Sequence, residues 1–207
     1  MIEYLRKEYL KTSNIPKLYL TDKPNFVASN GDLDAYYYLQ DIKNNIDNFV
    51  SSGNNIFIYS KCTGNGKTTW ATKLLRAYID YASDYNYPGY NAGIFVNVAE
   101  LISLKKLSMD KDEESKSAII KLENNIRKAP VVVWDDIAIR GLSEYDQEYL
   151  YSLINNRVAN LKSNIYTANV TPTELESQVG ARLYSRIINQ STLIEFKGSD
   201  KRSVPAN

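Results

Sequence analysis

Apolar positions along the chain follow two rhythms. Ile56-Phe57-Ile58-Tyr59-Ser60, Ile94-Phe95-Val96-Asn97-Val98, Val131-Val132-Val133-Trp134, residues 164–169 and Thr192-Leu193-Ile194-Glu195-Phe196 are short runs rich in β-branched and aromatic side chains. Such runs suit strands buried on both faces of a sheet. Between them, apolar residues recur every three or four positions, the period of a helix with one buried face. That spacing predicts helices over 70–81, from about residue 99, over 115–128 up to Pro130, over 144–161 with Leu150, Leu153, Ile154 and Val158 on one side, and over 179–188. Thr171-Pro172-Thr173-Glu174 reads as a further helix start, with proline at its first position. Strands alternating with helices imply right-handed crossovers, hence an α/β fold with a five-stranded, mostly parallel sheet and helices on both faces.

Ahead of the first strand the pattern is helical. Residues 2–11 form a short helix, Asn14-Ile15-Pro16-Lys17-Leu18-Tyr19 and the stretch around Pro24 lie over the surface, and a helix capped by Asp32 or Asp34 runs to about Val50. Leu39, Ile42, Ile46, Phe49 and Val50 share its apolar face. Ser51-Ser52-Gly53-Asn54-Asn55 then breaks it. Residues 1–50 thus read as a helical lead-in and 51–207 as the main domain.

Two strand ends carry the chemistry. The first run enters Lys61-Cys62-Thr63-Gly64-Asn65-Gly66-Lys67-Thr68-Thr69, a glycine-containing turn that opens a helix. A Gly-Lys-Thr tripeptide alone arises by chance; placed between strand and helix it is the context of a phosphate-binding loop. Gly64 and Gly66 let backbone N–H groups turn inward, and the helix N-terminus adds donors and positive dipole. The segment from Thr63 to Thr69 would cradle the phosphates, Lys67 reaching the β- and γ-phosphates and the Thr68 hydroxyl ligating Mg²⁺. Lys61 stands where the usual loop pattern has its first glycine. The third run ends in Asp135-Asp136. At the carboxyl end of a buried parallel strand, Asp135 would hold Mg²⁺ and Asp136 would orient an attacking water.

Composition narrows the chemistry. With no histidine and one cysteine among 207 residues, histidine-based triads, an internal disulfide and a zinc site are set aside. A reduced, cytoplasmic setting is the expectation, and no stretch resembles a membrane span or secretory signal. The net charge of +1 does not advertise a nucleic-acid partner. The abundant tyrosines, Tyr36-Tyr37-Tyr38 among them, suit either stacking platforms for single-stranded nucleic acid or ordinary core and rim packing.

In their order and spacing these stretches resemble the AAA+ ATPases of the DnaC and DnaI helicase-loader group, which also contains the IstB-type transposition ATPases. The likeness runs from Asn14-Ile15-Pro16-Lys17-Leu18-Tyr19 to Gly198-Ser199-Asp200-Lys201-Arg202. It implies a P-loop AAA+ core without a separate lid domain, binding ATP and Mg²⁺ and hydrolysing ATP, slowly where Asp136 replaces the commoner glutamate. It implies a sensor role for Asn169 beside the γ-phosphate. Gly180-Ala181-Arg182-Leu183-Tyr184-Ser185-Arg186-Ile187 resembles the segment holding an arginine finger, with Arg186 the first choice and Arg182 the second. Arg202 matches a late arginine of the second-sensor kind. The resemblance further implies a replicative DNA helicase as client, self-association into an ATP-dependent oligomer, and a single-stranded DNA path along residues 101–128. Lys105, Lys106, Lys111, Lys116 and Lys121 there would give salt-sensitive phosphate contacts, or else lie on a merely solvated helical pair beside Asp110, Asp112, Glu113 and Glu114. An IstB-like transposition helper, an ATP-binding adaptor with little turnover and a small-molecule P-loop kinase are the competing expectations.

Overall fold

The computed structural model describes residues 2–21, 32–85, 91–109 and 113–200. In it the five apolar runs become β1 (Asn55–Tyr59), β2 (Gly93–Asn97), β3 (Val131–Asp135), β4 (Ser163–Ala168) and β5 (Thr192–Glu195). They form one sheet in the order β2-β3-β4-β1-β5, and every neighbouring pair is parallel. Strict alternation of side chains sorts the core into two layers. Ile56, Ile58, Val131, Val133 and Ile165 face α1 (Ile2–Thr12), α2 (Leu33–Asn44), α3 (Ile46–Ser51) and α4 (Lys67–Asp84). Phe57, Val132, Trp134 and Tyr166 face α5 (Val98–Leu107), α6 (Glu113–Lys128), α7 (Glu144–Ala159), α8 (Pro172–Val179) and α9 (Ala181–Ile188). The inner strands are buried on both sides, which is why they read as unbroken apolar runs. Helix α4 inserts Trp70, Leu74, Leu75 and Ile79, each at most 1% exposed and each contributing about 1.5–3 kcal/mol by its burial.

The structure departs from the periodicity in three places. The helix expected over 32–50 is two, divided at Asn45, whose side-chain amide donates to both the carbonyl and the carboxylate of Asp41. An asparagine that competes for the backbone in this way ends a helix, yet Ile46, Phe49 and Val50 still reach the core. Asp32 sits at the start of α2 without capping it; its carboxylate serves a distant segment instead. The helix expected over 179–188 starts at Ala181, because Gly180 at φ 81° separates α8 from α9.

The free edge of β2 is partly covered by the lead-in, where the Phe95 N–H donates to the Ser13 carbonyl at 2.7 Å. At the base of the sheet Gly53 has φ +66°, and a Cβ there would lie 2.5 Å from the Leu161 carbonyl oxygen. Only glycine fits that turn into β1.

Candidate functional site

The carboxyl ends of β1, β3 and β4 converge on the N-terminus of α4. Beyond β1, Gly64 and Gly66 take φ 70° and 103°. That backbone turns successive N–H groups toward one point, the concavity that binds anions. Lys67 is the first residue of α4, and its ammonium donates to the Cys62 carbonyl (2.8 Å) and to Asn65 Oδ1 (3.2 Å). Thr63 is exposed on the loop; Thr68 and Thr69 are half-buried in the first helical turn. Lys61, the residue in the place of the missing glycine, pairs with Glu174 of α8 at 3.4 Å. An exposed pair of this kind contributes little stability.

Asp135 and Asp136 are held differently. Oδ1 of Asp135 accepts from the Thr68 hydroxyl and from the Thr167 hydroxyl, both at 2.8 Å. Thr167 in turn accepts the Asp136 N–H at 3.0 Å. Asp136 lies at φ 54°, exposed, with its Oδ1 accepting from Asn169 Nδ2 at 2.6 Å. Thr68, Asp135, Asp136, Thr167 and Asn169 therefore form one hydrogen-bonded set across three elements.

Burial pushes the Asp135 carboxyl above its ordinary range, against the opposing pull of the Thr167 and Thr68 hydroxyls; the neighbouring Asp136 charge raises it further and Lys67 lowers it. Asp136 is raised by desolvation and eased by Lys67. Two adjacent carboxyls reluctant to ionise are what a cation relieves. Mg²⁺ fits this donor set: it takes hard oxygens, few of them from protein, and completes its shell with phosphate and water. No cluster of three or more His, Cys, Asp or Glu able to hold a metal occurs among the described residues, so a cation here would depend on phosphate oxygens. A folded-state pKa raised above the unfolded one favours folding at low pH, and that contribution is lost as pH rises through the folded value. Without cation, raising the pH through the elevated carboxyl range is therefore expected to cost stability at this site. With Mg²⁺ and AMPPCP the same rise is expected to add stability, and thermal midpoints across pH with and without them test the reversal.

The two arginines of α9 are engaged elsewhere. Arg182 pairs with Glu148 at 2.5 Å and lies 4.4 Å from the centre of the Tyr151 ring. Arg186 hydrogen-bonds the Tyr151 hydroxyl and, with Arg182, holds its pKa below the usual tyrosine value. Both arginines thus bracket one tyrosine of α7. Arg202 lies outside the described residues. On α5 and α6, Lys105 pairs with Glu123, Lys106 with Asp146 and Lys116 with Glu113; Lys111 also falls outside the described residues. Tyr36 packs edge-on against Trp70 at 5.7 Å, while Tyr37 and Tyr38 are exposed.

No protein-family model and no curated sequence matches the chain. Solved structures do. The crystal structure of the DnaC helicase loader is 23% identical, with a TM-score of 0.68 over 88% of this chain and 100% of that one. This is the AAA+ P-loop fold. A DnaI structure is 19% identical, with a TM-score of 0.63, covering 88% of this chain and 95% of that one. The replication initiator DnaA bound to AMPPCP and single-stranded DNA is 22% identical, TM-score 0.64, over 86% of this chain and 50% of DnaA, so the chain spans about half of that protein. Among the described residues no helix is long and apolar enough to cross a membrane.

Sequence reasoning passed over Thr167 and Ser60, named Asp32 only as a helix cap, and named Asn65 only as a loop residue. A threonine in a strand and an aspartate before a helix carry no visible sign of partners far away in sequence. The buried position of Asn65, 0% exposed within a phosphate loop, is equally invisible from composition.

Proposed function

We propose that the chain is an ATP-binding, Mg²⁺-dependent AAA+ ATPase whose nucleotide-bridged oligomers place a replicative helicase on DNA. One observation carries the nucleotide chemistry: the Thr68 hydroxyl and Asp135 meet at 2.8 Å beside a buried Lys67 at the mouth of a left-handed glycine loop. Lys67 holds the β- and γ-phosphates. Thr68 and Asp135 hold Mg²⁺, which would neutralise charge developing on the phosphates. Asp136, kept at its angle by Asn169, aligns the attacking water and takes its proton. Asn169 thereby senses the γ-phosphate through Asp136. Arg186, with Arg182 second, reaches the phosphate of the neighbouring subunit once released from Tyr151.

The likeness in fold to the DnaC helicase loader and to DnaI supports the client, a replicative helicase; residues 1–50 serve as a lead-in to an ATPase domain of 51–207, and the described helices α1, α2 and α3 pack on α4. The DnaA structure bound to AMPPCP and single-stranded DNA supports nucleotide and, less directly, a DNA path along α5 and α6. Hydrolysis is slow, since a short aspartate already tied to Asn169 stands as the base.

Assembly is the test. Light scattering is expected to show larger species with AMPPCP and Mg²⁺ than without. Arg186→Ala should bind AMPPCP and fail to assemble. A wild-type protein that binds AMPPCP and stays monomeric, or an Arg186→Ala variant that assembles as wild type does, overturns the bridged oligomer.

A further inference from the structure

The segment that follows β5 is gripped from two sides, and one of the grips is the phosphate loop. The Phe196 N–H continues the sheet by donating to the Tyr59 carbonyl at 2.8 Å. The next two amides, of Lys197 and Gly198, donate to Asp32 Oδ1 at 2.6 and 3.1 Å, and Gly198 also reaches Oδ2 at 3.1 Å. The carbonyls of Phe196 and Gly198 accept from Asn65 Nδ2 at 3.5 and 3.4 Å. Asp32 and Asn65 are 1% and 0% exposed. Polar side chains so deeply buried persist where every contact is matched.

Asn65 faces both ways. Its Nδ2 donates to Ser60 Oγ at 2.7 Å besides the two carbonyls, and its Oδ1 accepts from the Lys67 ammonium at 3.2 Å. The orientation is fixed by chemistry: turned over, the amide would set its NH₂ against an ammonium and its oxygen against two carbonyls. One planar group thus links the lysine of the phosphate loop to the chain beyond the last strand.

We propose that Asn65 is a positioning residue that couples nucleotide at Lys67 to the Phe196–Gly198 segment, so that binding loosens the segment and loosening the segment favours binding. This rests on the nucleotide-binding reading given above. A phosphate oxygen, being charged, is a stronger acceptor for an ammonium than an amide oxygen. When Lys67 turns to phosphate, Asn65 loses the donor that fixes its Oδ1 and its amide plane is free to tilt. The contacts at 3.4 and 3.5 Å are at the limit of hydrogen bonding and fail first. The segment then keeps the Asp32 grip and the Phe196–Tyr59 bond but has lost its tie to the phosphate loop. Coupling of this kind is reciprocal, so weakening the Asp32 grip raises nucleotide affinity.

Hydrogen exchange on the full chain tests it, with AMPPCP and Mg²⁺ as the probe. The amides of Lys197 and Gly198 are expected to exchange about fivefold faster at saturating AMPPCP, the size of one ordinary net hydrogen bond. Asp32→Ala should tighten AMPPCP binding by a similar factor, and should lose that effect in an Asn65→Ala background. If Asn65→Ala does not fold, Asn65→Ser replaces it, keeping a hydroxyl but unable to span to the segment. Nucleotide that binds while both amides exchange at an unchanged rate overturns the coupling and leaves the ATPase reading intact, as do additive effects of Asp32→Ala and Asn65→Ala. A wild-type chain that binds no AMPPCP overturns both.

Discussion

Lys67→Ala is expected to weaken binding of ATP or AMPPCP by about a hundredfold or more, close to 3 kcal/mol at 1.4 kcal/mol per decade. The ammonium is the only loop side chain that carries a positive charge into the buried floor of the cradle, at 6% exposure. Removing a buried, hydrogen-bonded charge from its anionic partner costs about 2–5 kcal/mol. The fold should survive, because Lys67 opens α4 ahead of the residues that pack, Trp70, Leu74 and Leu75. What the variant leaves behind is a buried Asn65 Oδ1 and a Cys62 carbonyl short of one donor each, a cost of about 1–3 kcal/mol. Isothermal titration with AMPPCP and Mg²⁺, beside a circular-dichroism melt, separates the two effects. Binding within threefold of wild type would remove Lys67 from the phosphate site, and with it the nucleotide reading.

How far the sequence discloses this molecule depends on whether a residue's partners are near it in the chain or in its periodicity. β3 is legible because burial on both faces forces an unbroken apolar run, and Asp135-Asp136 at its end can only stand at the ligand side of a parallel sheet. The phosphate loop is legible because glycine at positive φ and a helix start are local requirements. The break at Asn45 is hidden, since Ile42, Ile46, Phe49 and Val50 keep helical spacing across it. Asp32 has the right residue type and place for a cap, yet Lys197 and Gly198, 165 and 166 positions on, claim its carboxylate. Thr167 looks like any strand threonine until β3 and β4 lie side by side and its hydroxyl meets Asp135. The roles given to Arg182, Arg186 and Arg202 concern a second subunit or undescribed residues, so no property of one chain's interior displays them.

Arg157→Met is expected to lower stability by about 3–5 kcal/mol, the usual loss when one side of a buried charged network is removed. The residue lies on the buried face of α7 with Leu150, Leu153 and Ile154. Arg157 is 0% exposed and spends all five guanidinium N–H groups. Nε donates to Asn164 Oδ1 at 2.7 Å, Nη1 to the Ile126 and Ala129 carbonyls at 2.6 and 2.7 Å, and Nη2 to the Pro130 and Ser163 carbonyls at 3.3 and 2.6 Å. Burial pulls its pKa down to about 9, which leaves it charged at neutral pH. The compensating charge is partial and distributed: the carbonyls at the C-terminus of α6, the negative end of that helix dipole. Lys162 caps the same end, donating to the Arg127 and Lys128 carbonyls at 2.8 Å. Asn164 Oδ1 also accepts from Trp134 Nε1, and its amide donates to Asn55, so β1, β3 and β4 are registered through this one cation. Methionine fills the volume but takes a donor from the Ile126, Ala129 and Ser163 carbonyls in the dry base of the sheet, directly below the strand that delivers Asp135, while the Pro130 carbonyl keeps the Ser163 N–H. Arg157→Lys, with three donors for five acceptors, should fall between the two. Urea unfolding with an unchanged m-value measures the loss; a midpoint for Arg157→Met equal to that of wild type would mean the base of the sheet is held by its apolar layers alone.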